Sequence, residues 1–381
     1  MPATFRIATF NAENLFRRAR ALNLKDSEQT DAIMAQVKAL AALLAKATYT
    51  AADKAAIWKT SAELNEYITI REDLGTFGSL VTNPEVGRAG YRVAVACQGR
   101  GSWSGEIEFK TEPFSDEQRK NTARVIKEMK ADVQCLIEVE SMPAVRSFNT
   151  DSLSGMFNEF VVIDNVIDPR GIDVGCLSKY PILGVRSHMF EKLGGKYIWS
   201  RDCLEVLIQV PFADKKPLWV FCNHFKSQRG KTQQERDDAA AKRRGQANRV
   251  AELLKQRNLA KEYVVVLGDL NEDVTNDYQS LKPLLDVPNL HSVFDLALPP
   301  DQRWTHYYEP EKNKPSKGLS TLDYILVSKP LKAKMSSAGF ERRGMDALEQ
   351  ITNGAQQPFD TVTGWSNAAS DHAGVWAEFR L

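Results

Sequence analysis

Carboxylate and carboxamide side chains recur where apolar runs of this sequence end. Asn11 and Glu13 follow the run at residues 4–10, and Glu138 follows the run at residues 133–137. Their oxygen atoms are the ligands that a hard cation such as Mg²⁺ prefers. An acid at the end of a buried strand is costly unless it is paired or liganded, which favours a metal site. The alternatives are that Asn11 only turns the chain and that Glu138 is an exposed loop acid.

A histidine and a Gly-Asp-Leu-Asn segment end two further apolar runs. His224 closes one run, where its ring can donate a hydrogen bond to a phosphate oxygen. Gly268, Asp269 and Asn271 end or directly follow the other run. Glycine permits a sharp turn, after which the Asp and the Asn can face one bound group. A structural histidine and a simple Asx turn are the alternatives.

Near the C-terminus the sequence offers an acid and a histidine that can work as a pair. Asp323 lies inside the apolar run at residues 321–326, and Asp371 and His372 come just before the last strand-like run. A histidine that moves a proton needs a partner acid to fix its tautomer and to stabilise its charged form. Asp323 is the candidate partner of His372.

Taken in chain order, these pieces form a recognisable set. They are Asn-x-Glu, Glu, Asn-His, Gly-Asp-x-Asn, Leu-Asp-Tyr and Ser-Asp-His. The set resembles the endonuclease/exonuclease/phosphatase superfamily, which includes deoxyribonucleases, abasic-site endonucleases, neutral sphingomyelinases and inositol polyphosphate 5-phosphatases. The resemblance covers about residues 4–16 and 116–381. It implies an α/β fold, a four-layer α/β/β/α sandwich with two central mixed sheets, and a metal site at one edge.

The resemblance also implies the role of each residue. Glu138 would be the principal ligand of Mg²⁺, for which Mn²⁺ can substitute. The residues expected on the metal side are Asn11, Glu13, Glu138 and Asp371. His372, oriented by Asp323, would be the general base or would stabilise the phosphate.

Three further residues receive roles in the same way. Asp269 would position or deprotonate the attacking water, and Asn271 would orient the phosphate. His224 matches the histidine of the deoxyribonuclease-like members, which contacts the phosphate or the leaving group. Arg170 lies in a Pro-Gly loop, where it either grips a phosphate or is simply solvated.

These residues predict a Mg²⁺-dependent phosphodiesterase, and nucleic acid, as DNA or RNA, is the expected substrate. A phosphomonoesterase or phospholipase-type enzyme acting on inositol phosphates or lipid head groups is the alternative. A catalytically silent binding protein is a third possibility, which the complete catalytic set argues against. The sequence indicates no protein partner.

Composition limits these hypotheses. Lys+Arg total 50 and Asp+Glu total 49, so the formal net charge of +1 gives no electrostatic reason to expect nucleic acid. The 5 cysteines form no CxxC or Cys/His metal motif, which favours free thiols in a reducing compartment. The start of the chain lacks the pattern of a secretory signal, and no apolar stretch approaches the ~20 residues of a membrane span. We therefore expect a cytoplasmic protein without a membrane anchor.

The elements that position these residues belong to one α/β domain with an insertion at about residues 17–112. Within the insertion, residues 17–46 and 51–67 have helical patterns, and residues 68–110 are glycine-rich and irregular with short strand-like pieces. The insertion either forms a lid or specificity wall, or is peripheral packing. A helix at residues 234–256 carries several arginines, which we interpret as a solvated surface.

Overall fold

The computed structural model describes residues 4–15, 17–22, 27–83, 88–113, 116–167, 171–299, 302–308 and 318–381. The contacts divide the chain into two compact units, Met1–Phe16 with Phe114–Leu381, and Arg17–Pro113. That the second unit is an insertion into a single domain stays a prediction.

The secondary structure is numbered in chain order. The strands of the described residues are β1 (Thr4–Leu15), β2 (Arg17–Ala19), β3 (Ile68–Leu74), β4 (Gly78–Asn83), β5 (Arg88–Val95), β6 (Ser104–Phe109), β7 (Thr111–Pro113), β8 (Val133–Val139), β9 (Glu159–Val162), β10 (Asp173–Ser178), β11 (Ile182–Ser187), β12 (Lys192–Leu193), β13 (Lys196–Tyr197), β14 (Cys203–Ile208), β15 (Leu218–His224), β16 (Tyr263–Asp269), β17 (Leu290–Ser292), β18 (His306–Tyr308), β19 (Gly318–Ser320), β20 (Asp323–Ser328), β21 (Met335–Glu341) and β22 (Gly374–Arg380). The α-helices are α1 (Ser27–Leu44), α2 (Ala51–Glu63), α3 (Asp116–Met129), α4 (Met142–Asp151), α5 (Gln233–Leu254), α6 (Lys282–Leu285), α7 (Val293–Ala297), α8 (Lys329–Lys334) and α9 (Leu348–Ile351).

The first unit is built on two large mixed sheets. One has the strand order β21-β22-β1-β8-β10-β9 and the other β11-β14-β15-β16-β20-β17. In the first sheet β1 and β8 are parallel, and in the second β15 and β16 are parallel. The other pairings in both sheets are antiparallel. The predicted four-layer α/β/β/α sandwich with two mixed sheets is confirmed.

Alternation along the strands divides the apolar side chains between two cores. In β1, Phe5 and Ile7 belong to the core shared with the second sheet, whereas Ala8 and Phe10 face the layer of α3 and α4. Successive side chains of a strand point to opposite faces, so one strand supplies both layers. The helix α5 closes the opposite side, where Val250 and other apolar residues join the larger core.

The cysteines are part of this packing. All 5 are free and buried. Four of them lie in β8, β10, β14 and β15. Among the described residues, no helix is long and apolar enough to cross a membrane.

The second unit has a core of its own. Helix α1 buries Ile33, Val37, Leu40 and Leu44, a stripe at helical spacing that packs with residues of the following strands such as Ile68. The strands pair as β3 with β6, β4 with β5, and β2 with β7.

The structure of this unit differs from the prediction in two respects. The first helix begins at Ser27 and not near residue 17, because residues 17–19 form β2 instead. Residues 68–110, predicted to be irregular with short strand-like pieces, are more regular than expected, because those pieces pair into antiparallel ladders. Both differences arise because these residues pair with strands that are distant in the sequence, and such pairing overrides local propensity.

Candidate active site

The predicted site residues converge because the strands that carry them meet at one edge. The parallel strands β1, β8, β15 and β16 end there, and the antiparallel strands β20 and β22 begin there. Within the second sheet, Asp269 is paired with His224 on one side and with Asp323 on the other. A hydrogen bond of 3.1 Å from Asn11 Nδ2 to Asp269 Oδ2 joins the ends of the two sheets.

Asp323 and His372 form the predicted acid–histidine pair. Nδ1 of His372 lies 2.8 Å from Oδ2 of Asp323, and both side chains are buried. Burial lowers the pKa of His372, but the charge of Asp323 and the hydrogen bond to it raise this pKa well above its ordinary value. The turn before β22 is held by Ser370, whose hydroxyl donates to the backbone oxygen of Asn11 at 2.8 Å. The last strand is thereby fastened to the end of the first.

Asp269 and Asn271 lie on a tight turn at the end of β16. Gly268 has a φ of +131°, and a Cβ there would come within 1.9 Å of the backbone oxygen of Asn223. Only glycine fits so close an approach between β15 and β16. Asn271 then donates its backbone N–H to Asp269 Oδ1 at 2.8 Å and its amide to Oδ2 at 2.9 Å. The Asp269 carboxylate is therefore held by donors on both oxygens.

His224 faces the acids of both sheets. Its Nε2 lies 3.6 Å from Oδ2 of Asp269 and 3.8 Å from Oε1 of Glu138. The histidine side chain is buried, while Glu138 keeps 17% of its side chain exposed. Glu138 also has a φ of +63°, a rare conformation for a non-glycine residue.

The donor set of this cluster fits a hard divalent cation. Glu138, Asn11 and Asp269 bring carboxylate and carboxamide oxygens together, which suits Mg²⁺. Oδ1 of Asp323 is buried and has no hydrogen-bond partner among the described residues. Burial raises the pKa of Asp269 to about 7; the charge of His372 lowers this pKa, and the charges of Asp323 and Glu138 raise it. Such an accumulation of negative charge is relieved by a bound cation.

His306 is a neighbour of the site that sequence reasoning did not assign. Its ring packs on that of His372 with centroids 4.8 Å apart, and its Nε2 lies 3.5 Å from Oδ2 of Asp371. Asp371 also faces His372, with Oδ1 3.9 Å from Nε2. Burial would raise the pKa of Asp371, yet the hydrogen bond with His306 and the charge of His372 hold it far below its ordinary value. The only signal in the sequence was that the chain has just 5 histidines.

For two of the predicted site residues, Glu13 and Arg170, the expected role stays a prediction. Glu13 is linked to the cluster through its backbone N–H, which donates to Oδ1 of Asn11 at 3.1 Å. This bond orients the Asn11 amide, and metal binding by the Glu13 carboxylate stays a prediction. Arg170 lies outside the described residues.

The arginines of α5 are engaged within the protein. Arg243 is buried against Glu272, Arg244 donates to the backbone of Tyr278, and Arg249 pairs with Glu191. The interpretation of α5 as a solvated surface is therefore wrong for Arg243, which is buried, and Arg244 and Arg249 are also bonded within the protein.

The match to a family model agrees with the fold and with this cluster of acids and histidines. The model described as the Endonuclease/Exonuclease/phosphatase family matches residues 107–372. The chain belongs to this family, whose members hydrolyse phosphoester bonds. No curated protein sequence matches the chain.

Solved structures of this fold are similar to the chain at low sequence identity. Truncated TDP2 of Caenorhabditis elegans is 18% identical, with a TM-score of 0.47, and the match covers 69% of this chain and 90% of that one. TDP2 of D. rerio complexed with a single-strand DNA product is 16% identical, with a TM-score of 0.48 and coverage of 70% and 92%. The beta toxin of Staphylococcus aureus is 20% identical, with a TM-score of 0.48 and coverage of 68% and 92%.

Proposed function

We propose that this chain is a divalent-metal-dependent phosphodiesterase and that its substrate is a nucleic acid. The observation that supports the proposal best is that two histidines reach one cluster of acids, one from the end of β15 and one from the turn before β22. His224 reaches it through Asp269 and Glu138, and His372 reaches it through Asp323. Acids that hold a cation beside histidines that exchange protons are what phosphoester hydrolysis requires.

Glu138 and Asn11 would hold the cation, with Asp269 beside them. Mg²⁺ is the expected ion because the donors are oxygens, and Mn²⁺ is the expected substitute. A bound divalent cation neutralises the anionic phosphate oxygens and stabilises the charge of the transition state.

The chain's own residues supply proton transfer and positioning. Asp269 is held by Asn271 and Asn11 so that its carboxylate accepts a proton from the attacking water. Asp323 fixes Nδ1 of His372, which leaves Nε2 to donate to a phosphate oxygen. His224 contacts the phosphate or the leaving oxygen from the side of Glu138.

A phosphodiester is the proposed substrate class. Nucleic acid is the proposed diester because His224 stands where the resemblance places the histidine of deoxyribonuclease-like members.

The test compares hydrolysis of bis(p-nitrophenyl) phosphate and p-nitrophenyl phosphate in Mg²⁺ or Mn²⁺, with and without EDTA. We expect diester cleavage that EDTA abolishes and that His372→Ala lowers by at least about 100-fold in kcat/KM. His291→Ala is the matched control, because His291 lies on β17 and contacts none of the site residues named above.

The other outcomes separate the alternatives. If the chain passes this test, cleavage of DNA and RNA oligonucleotides is measured next to identify the substrate. A clear preference for the monoester would contradict the diesterase and favour a phosphomonoesterase. Failure to cleave any diester or nucleic acid with either metal would contradict the phosphodiesterase.

A further inference from the structure

His306, Asp371 and His372 direct three ligand atoms toward one point. These atoms, one from each residue, all lie within 4.8 Å of one another. Asp371 is central, with Oδ2 3.5 Å from Nε2 of His306 and Oδ1 3.9 Å from Nε2 of His372. His306 and Asp371 keep 16% and 29% of their side chains exposed, so a small ion can reach them from solvent.

The backbone places the two histidines side by side. His306 on β18 and His372 just before β22 form an isolated antiparallel bridge, although β18 and β22 belong to different sheets. Ala373 donates its N–H to the backbone oxygen of Thr305 at 2.7 Å, which extends the same pairing. The rings lie close together, tilted by 54° to each other, because their main chains are paired.

Each histidine uses its other ring nitrogen for a polar partner. Nδ1 of His372 is bonded to Asp323 at 2.8 Å, and Nδ1 of His306 lies 3.3 Å from Oγ of Ser320. Metal-binding histidines show this arrangement, since the partner at one nitrogen fixes the tautomer that offers the other nitrogen to the ion. Both Nε2 atoms are then oriented toward Asp371.

We propose that His306, Asp371 and His372 form a transition-metal site, with Zn²⁺ as the preferred probe, distinct from the oxygen ligands around Glu138. Two imidazoles and a carboxylate favour Zn²⁺ or a similar ion, whereas Mg²⁺ prefers oxygen ligands. Zinc binds nitrogen and oxygen at about 2.0–2.2 Å, so its ligand atoms lie about 3–3.5 Å apart. Small side-chain rotations bring the observed separations into this range. Three protein ligands leave the fourth position open.

A transition-metal ion bound at this site is expected to inhibit the enzyme, a consequence that rests on the proposed function. Nε2 of His372 is the nitrogen that donates to the phosphate in that proposal. An ion at this site occupies the same nitrogen. Zn²⁺ is therefore expected to inhibit the Mg²⁺-dependent reaction, and His306→Gln should weaken the inhibition.

The site itself is tested by binding, without substrate. Zn²⁺ is titrated calorimetrically into the full chain, and Co²⁺ binding is followed by its visible absorption bands, which Zn²⁺ should abolish by displacement. The variants are His306→Gln, Glu138→Gln and the control His291→Gln. We expect one binding event that Glu138→Gln and His291→Gln retain and that His306→Gln weakens at least about tenfold. Asp371→Asn should weaken it too, and circular dichroism checks that each variant is folded.

Three results would overturn the proposal. The first is a wild-type chain that binds neither ion, and the second is an affinity that His306→Gln leaves unchanged. The third is binding that Glu138→Gln removes and His306→Gln retains, which would assign the ion to the oxygen ligands. If the chain binds Zn²⁺ through His306 but cleaves no phosphodiester, the proposed function fails and the metal site stands.

Discussion

His188 is a buried histidine held between two carboxylates. Its Nδ1 lies 2.9 Å from Oε1 of Glu191, and its Nε2 lies 3.1 Å from Oε2 of Glu205. Burial lowers the pKa of His188, but both carboxylates raise it, and the net pKa is above the ordinary value. Other charged groups complete the surroundings. Asp202 accepts a hydrogen bond from the backbone N–H of His188, Arg249 pairs with Glu191, and Arg186 and Arg257 approach Glu205. Such a histidine links stability to pH.

We predict that His188→Gln lowers the free energy of unfolding mainly at acidic pH. Because the folded state raises the pKa, protonated His188 stabilises the fold fully below the unfolded value of about 6.5. The contribution is lost as pH rises through the folded-state pKa. Glu191, with its pKa lowered to about 2, stays charged in this window. Urea unfolding of both proteins at a series of pH values measures the difference, which should shrink as pH increases.

For the control residue His291, the predicted change of stability with pH has the opposite sign. Burial, with the charges of Lys332 and Lys329, lowers the pKa of His291. Its neutral form is therefore favoured in the folded state, so His291→Gln should relieve a loss of stability that appears as pH falls. A His188→Gln difference that is constant with pH, or grows as pH rises, would contradict the assignment of a stabilising protonated His188.

At the scale of elements, a buried ion pair ties α5 to the turn that carries the site. Arg243 on α5 donates to Oε2 of Glu272 at 2.9 and 3.1 Å, and it also donates to the backbone oxygen of Lys226 at 3.2 Å. Both charged side chains are only 1% exposed. Glu272 directly follows Asn271 and also accepts a hydrogen bond from the Ser280 N–H. Arg243 thus holds both the segment that follows β15, at Lys226, and the segment that follows β16, at Glu272.

Breaking this pair should be costly, whereas removing both charges should not. We predict that Arg243→Met or Glu272→Gln alone lowers the free energy of unfolding by about 3–5 kcal/mol, because the remaining charge is buried without a partner. The double variant should recover part of the loss. Urea unfolding measures all three.

An exposed ion pair provides the comparison. Lys282 and Asp286 pair at 2.8 Å on α6 and its C-terminal cap, and both side chains are mostly solvent-exposed. Lys282→Ala should change stability by less than about 1 kcal/mol. Equal, small effects at Arg243 and Lys282 would show that the buried pair does not hold α5 in place.

For the molecule as a whole, the sequence predicted what depends on local pattern and missed what depends on distant pairing. The polar residues at strand ends are visible in the sequence, and parallel pairing brings Asn11 near Glu138 in one sheet and His224 near Asp269 in the other. That the two sheets bring Asn11 to Asp269 depends on how the sheets pack. The partnership of His306 with His372 could not be foreseen, because it depends on a bridge between remote segments. The start of α1 was misplaced for a related reason. Arg17–Ala19 has helix-forming residues but pairs with Thr111–Pro113.

That same pairing makes the separation of the two units testable. Arg17 lies opposite Pro113, so their Cα atoms are about 5 Å apart. A linker of about four glycine and serine residues can therefore replace residues 17–113 without pulling on the chain at either end. The deleted segment has its own apolar core, and the remainder keeps both six-stranded sheets.

We predict that the deletion variant folds and unfolds cooperatively in urea, and that residues 17–113 fold when expressed alone, since about 100 residues can bury a core. Circular dichroism and urea titration of both pieces provide the measurement. The deletion variant should also keep EDTA-sensitive cleavage of bis(p-nitrophenyl) phosphate, because the residues proposed for catalysis all lie outside the deleted segment. A remainder that collapses without residues 17–113 would mean that this segment is required for the fold. If the remainder folds but is inactive, residues 17–113 contribute to catalysis.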